Sequence, residues 1–348
     1  MTKRDAAPPS AAFHLGILVG LAPIQYIGAF VVFYYGTLDI SDGRWVKLIV
    51  DYLGTINPDL LSLLGVRSRL VWSALAVLYA LIMASAGAYS LVVLARRAGP
   101  FRAPVVGAFA LVSIAVGVAT WVLGPSQFSA CAGDPCGAGC ATKSTGIPFS
   151  IIPYMGAVFC RIYEPSFVSF FWSFYTVALP VQVPVYILTF AAGISLIIGP
   201  RSMGRWTTAD LRQRIADFRV LFILYSAIVT LFGLSELTMW GWLADIAAGS
   251  KHAEYFRNLQ IGSALFWGMC NSALLLLFFA PLGSLLARLA RALADLHCEG
   301  ASIPALEEWE REQGVSLLGR AAWPQIAGIL APLLTAALAF LFQSAVGG

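Results

Sequence analysis

Of 348 residues, 59% are hydrophobic and only 11% charged, and the formal net charge is +4. A soluble chain carries about 25% charged residues, so a water-soluble globular protein is excluded. The small basic excess follows from topology, as counted below, and no nucleic-acid-binding module accompanies it.

A hydrocarbon core about 30 Å thick takes roughly 20 apolar residues at about 1.5 Å each. In lipid the backbone must satisfy its own hydrogen bonds. The apolar stretches here are continuous and do not alternate, so the fold class is all-α. The expectation is a polytopic integral membrane protein of about seven transmembrane helices with short amphipathic interfacial helices, forming a single transmembrane domain over 1–348. The spans fall at 13–35, 70–95, 104–123, 167–198, 220–243, 260–281 and 323–342. Segments 36–69 and 124–166 are external loops, and 201–219 and 282–322 are cytoplasmic.

In chain order, the first span is too long for a removed signal peptide and lacks a cleavage-site pattern, so it is read as retained. In loop 36–69, Trp45, Val46, Ile49, Tyr52, Leu53 and Ile56 recur at helical spacing. Asn57-Pro58 then caps a second short helix. Two such elements suit the outer interface or a re-entrant hairpin. The second span ends on Arg96-Arg97, and an apolar element over 151–163 precedes the fourth. That fourth span is long and holds Pro180 and Pro184. Each proline removes a helical hydrogen bond and clashes with the preceding turn, so a kink or local unwinding is expected there.

Thr207-x-x-Asp210 resembles a capping box. Leu211, Ile215 and Phe218 carry an apolar stripe from it into the fifth span. The sixth span continues past Pro281 through Leu285, Leu289, Leu293 and Leu296. A tail helix follows, capped by Ser302, carrying Glu307, Glu308, Trp309, Glu310 and Glu312, and ending near Gly314. Its acidic residues either meet the basic 201–219 stretch or form a separate solvated face. The last apolar segment holds Pro324 and Pro332, and either spans fully or forms a half-buried hairpin.

With the N-terminus inside, 14 Lys and Arg residues fall on the cytoplasmic side and 8 outside. Acidic residues divide almost evenly, as the positive-inside rule expects. Cys131, Cys136, Cys140 and Cys160 share one external loop, where an oxidising compartment favours two disulfides of open pairing. Free thiols and a metal site are the alternatives, but C-x4-C-x3-C matches no standard zinc or ferredoxin spacing. A plasma membrane, in the simplest setting a bacterial inner membrane, is the expected location.

An ionisable side chain inside a span is costly and a functional candidate by default. Glu236 is the clear case. It lies roughly 10 Å below the outer boundary, beneath Trp240 and Trp242, which read as an outer aromatic belt. Facing a cavity it would select cations; otherwise it is a hydrogen-bonded packing group. Gln25, Gln182 and Asn271 lie near mid-depth. They line a polar path in one reading and tie helices together in the other. Phe167, Phe170, Phe171, Trp172, Phe174 and Tyr175 frame a hydrophobic ligand in one reading, and pack helices or belt the interface in the other.

No pair of histidines sits inside a span, against a bis-His haem. HExxH, GxSxG, Walker A and dinucleotide motifs are lacking, so no catalytic residue, cofactor or metal is assigned. The leading expectation is a channel or transporter subunit for an ion or small solute. Glu236 selects charge in it, Gln182 coordinates, and Pro180 and Pro184 break the helix. A membrane sensor, anchor or assembly subunit acting through a partner is the alternative, and a membrane-embedded enzyme the third. The lipid bilayer is the expected partner, and no nucleic acid is expected. A homo-oligomer and a membrane or cytoplasmic protein partner both fit.

Overall fold

The computed structural model describes residues 51–56, 66–97, 158–159, 162–163, 165–197, 206–298, 300, 302–317, 327–334 and 337. The segments 13–35 and 104–123, Gln25, Cys131, Cys136, Cys140 and Cys160 lie outside them, as does the side chain of Glu236. The named elements are α1 (Val66–Arg97), α2 (Pro165–Ser195), α3 (Thr208–Ile246), α4 (Ala253–His297) and α5 (Ile303–Glu312). No strand occurs among the described residues.

Local chemistry sets the helix ends. Thr207 adopts an extended backbone, and its hydroxyl accepts from the Asp210 amide at 3.1 Å, as the capping-box spacing predicts. Asp210 in the first turn of α3, and Arg96 and Arg97 in the last turn of α1, oppose the helix dipoles. At the end of α5 the Val315 amide reaches the Glu310 carbonyl at 2.9 Å, and the Gly314 amide reaches Arg311 at 3.0 Å. This Schellman arrangement needs a left-handed residue, and Gly314 supplies it at φ 67°.

Three helices, α1, α3 and α4, are long and apolar enough to cross a membrane, and Pro184–Ser195 adds a shorter apolar stretch in α2. They mark the chain as a helical membrane protein. The outward surface agrees: Leu70, Leu78 and Leu81 on α1 are 64%, 46% and 60% exposed. Water penalises such a stripe, whereas lipid solvates it. The helices α3 and α4 are 39 and 45 residues long, far beyond the roughly 20 needed to cross. Both therefore project past the bilayer, as the stripes through Leu211 and Leu285 predict.

Pairing gives the directions. Trp72 packs on Phe171, and Ser90 meets Thr189, so α1 and α2 run parallel. Ser68 bonds Asp245 and Arg97 pairs with Asp217, so α3 runs antiparallel to α1. Asn271 bonds the Val229 carbonyl and Gln260 the Leu237 carbonyl, so α4 runs antiparallel to α3.

Two sequence expectations are corrected. First, of the kink or local unwinding expected at Pro180 and Pro184, the unwinding is not found: α2 is helical throughout Pro165–Ser195. The prolines are four residues apart and lie close to one face, so the bonds on the remaining faces hold the helix. Second, Trp240 and Trp242 are 1% and 0% exposed and form core instead of an interface belt. Trp242 sits 4.2 Å from the Phe159 ring, 5.6 Å from Tyr163 and Phe167, and 6.1 Å from Trp72.

The tail does meet the basic stretch, though not through its carboxylates. Arg212 donates to the Gln313 carbonyl at 2.8 Å and Arg219 to the Ser316 carbonyl at 2.9 Å. Glu310 and Glu307 instead face Arg291 of α4 at 3.0 and 3.7 Å. Burial pushes the Glu310 carboxyl above its ordinary range, with Arg291 opposing. Val315 and Leu317 are buried in the main core. Further on, a Cβ at Gly328 would stand 2.6 Å from the Phe222 ring, so helix 327–334 lies directly against α3.

Candidate functional site

The densest polar feature lies where α1 and α2 end and α3 begins. Asp217 is fully buried. Its carboxylate accepts from Gln213 Nε2 at 2.9 Å, Tyr89 Oη at 3.0 Å and Arg97 Nη2 at 3.1 Å, and Arg96 stands 3.8 Å away. Arg97, 9% exposed, also donates to Asp210 at 2.5 Å. Arg214 donates to Asp210 at 2.7 Å and to the Leu196 carbonyl just beyond α2 at 2.7 Å. Its guanidinium also lies 4.5 Å above the Trp206 ring. Two carboxylates and two arginines thus fasten three helix ends together.

A buried ion pair costs several kcal/mol per charge in desolvation, which its Coulomb attraction only partly offsets. Here Asp217 accepts three hydrogen bonds, two on Oδ1 and one on Oδ2, which offset part of that cost.

The other end of the bundle is closed differently. Trp242 Nε1 donates to Tyr163 Oη at 2.6 Å inside the aromatic cluster. Arg69 lies 4.9 Å above the Tyr163 ring and 5.5 Å above Phe167. Burial raises the Tyr163 phenol to about 12, opposed by the Trp242 hydrogen bond and Arg69, so it stays neutral. Phe167, Phe171 and Phe174 pack into this cluster, on the side of helix packing and not of a ligand frame.

Between the two ends lie uncharged hydrogen-bonding groups. Gln182, 5% exposed, donates to Tyr186 Oη at 2.8 Å. Ser90 and Thr189, both 0% exposed, are 3.2 Å apart across α1 and α2. Asn271, 1% exposed, ties α4 to the Val229 carbonyl of α3 at 3.2 Å. Gln182 and Asn271 are therefore held in different places, one within α2 and the other across α3 and α4. Glu236 falls on α3 in helical register with Val229, Phe232 and Trp240. Of these, Phe232 packs on Trp267 of α4 at 5.6 Å. Ser263 on the same part of α4 is buried, and its hydroxyl has no hydrogen-bond partner among the described residues.

The sequence offers Arg97 and Arg214 as topology markers and Asp210 as a helix cap, does not single out Asp217, and so does not show the cluster. A signal existed: Asp210, Arg214 and Asp217 recur at four and three residues, which places them on one helical face. Nothing local names Arg97 as their partner. No protein-family model, curated protein or solved structure matches this chain, so its function is argued from this geometry.

Proposed function

We propose that the chain is a channel or transporter subunit for an ion or small solute. The observation that carries this reading is a membrane bundle closed by ion pairs at one end and aromatic rings at the other, with Ser90, Gln182, Tyr186 and Thr189 between them. Polar side chains at membrane depth are expensive, and in the transport reading this row lines the solute path. About seven spans fit the helix directions. The parallel run of α1 and α2 supports one further crossing between them, for which 104–123 is the apolar stretch available. The contact of Gly328 with Phe222 and Ser226 sets helix 327–334 beside α3, which supports a final membrane segment there. The basic ends of α1 and α3 support a cytoplasmic ion-pair end, with the N-terminus on the same side. Cys131, Cys136, Cys140 and Cys160 then face outward and form two disulfides, in a plasma membrane such as a bacterial inner membrane.

A second reading, a membrane sensor or assembly subunit acting through a protein partner, is favoured by one observation. Gln182 and Asn271 are both bonded to neighbouring groups of the bundle. Glu236→Gln separates the two. At 4 Å a carboxylate attracts a cation by about 4 kcal/mol at an effective dielectric near 20. Losing a third of that changes occupancy about tenfold. With purified protein in liposomes, dye-reported potassium or proton flux should fall about tenfold in the variant while its melting temperature holds. An unaltered flux with a lowered melting temperature makes Glu236 a packing group. No flux from the parent chain, together with a stoichiometric co-purifying protein, favours the second reading.

A further inference from the structure

We propose that Arg97, Asp210, Asp217 and Arg214 form the inner gate of the bundle, and that opening parts Arg97 on α1 from the two aspartates on α3. This rests on the transport reading above.

Three observations carry it. The first is energetic. Apolar side chains of similar volume hold helices together as well as a buried ion pair does, so the pair gains little stability over them. What charges add is a second state: once water enters, each partner is solvated and the separation costs far less than tearing apart an apolar seam. The aromatic closure at the opposite end has no such alternative.

The second is connectivity. Arg214 binds Asp210 on its own helix and the carbonyl of Leu196, so the end of α2 is pinned to α3. The contacts from α1 are Arg97 to Asp210 and Asp217, Arg96 at 3.8 Å, and the Tyr89 hydroxyl. The cluster therefore divides between Arg97 on α1 and the aspartates on α3, while α2 packs along α1 through Trp72–Phe171 and Ser90–Thr189 and is tied to α3 at this end by Arg214.

The third is what lies behind it. Ser90 stands beside Tyr89 on α1, seven residues from Arg97, which is about 10 Å of helix. Its hydroxyl faces Thr189 and is fully buried. Parting Arg97 from the aspartates uncovers this pair first, from the cytoplasmic side.

The test uses the full chain with Ser90→Cys, in inside-out vesicles, treated with a charged methanethiosulfonate. Peptide mass spectrometry locates the label, so the native cysteines stay in place. The thiol should react slowly in the parent. Arg97→Gln should speed its labelling about tenfold, the scale set by losing charge-assisted hydrogen bonds. Tyr89→Phe, which removes one neutral donor, should give a smaller increase. An unchanged rate in folded Arg97→Gln overturns the gate and leaves a static tie. Should Arg97→Gln fail to fold, Tyr89→Phe decides alone: faster labelling supports the gate and an unchanged rate overturns it. Faster labelling without potassium or proton flux from any variant supports the movement while removing the transport reading.

Discussion

Asp217→Ala is expected to lower the unfolding free energy by about 3–5 kcal/mol, the cost of leaving a buried charge without its partner. Arg97, 9% exposed, loses one of its two carboxylates and keeps only Asp210 at 2.5 Å. Tyr89 and Gln213 lose their acceptor as well. The double variant Arg97→Met with Asp217→Leu removes both charges and should be closer to the parent than Asp217→Ala alone. Denaturation of purified protein in detergent, run as a double-mutant cycle, measures the coupling. An effect of Asp217→Ala within about 0.5 kcal/mol, the range of ordinary surface substitutions, would show that the carboxylate is hydrated and the cluster open.

The second large effect is expected at the other end. Trp242→Ala should cost about 3–5 kcal/mol, the usual range for emptying a buried large aromatic site. Its ring is fully buried among Trp72, Phe159, Tyr163, Phe167 and Phe171. Trp242→Phe keeps most of that packing and loses the hydrogen bond to Tyr163, so about 0.5–1.5 kcal/mol of its cost comes from that bond. Thermal unfolding of the three proteins should rank them parent, Phe, Ala. Equal stability of Trp242→Ala and the parent would place this side chain in lipid, as an interface belt requires.

The contrast between these two ends shows what the sequence carries. Thr207 and Asp210 begin α3 as their spacing predicts, and Gly314 ends the tail after Ser302 begins it, because caps are decided within a few residues. The run of leucines past Pro281 likewise continues α4 to His297. Partner choice is not local. Asp217 meets Arg97 across 120 residues of chain, and only the packing of α1 on α3 brings them together. Trp242 has the composition and depth of a belt residue, and only the approach of Phe159 and Phe171 makes it core. Pro180 and Pro184 obey a local rule that the surrounding helix overrides. Among the expected path residues, Gln182 and Asn271 were legible as intramembrane amides, but their partners, Tyr186 and the Val229 carbonyl, were not.

The central claim is that α3 crosses the bilayer with its ion-pair end inside. Ala216 and Lys251 are exposed near its two ends. Single cysteines are placed at each, as Ala216→Cys and Lys251→Cys, and intact cells are treated with a membrane-impermeant maleimide. Lys251→Cys should label at once, and Ala216→Cys only after the membrane is permeabilised. Labelling of both from outside would contradict the crossing itself, and labelling of Ala216→Cys alone would invert the orientation on which the gate and the proposed path depend.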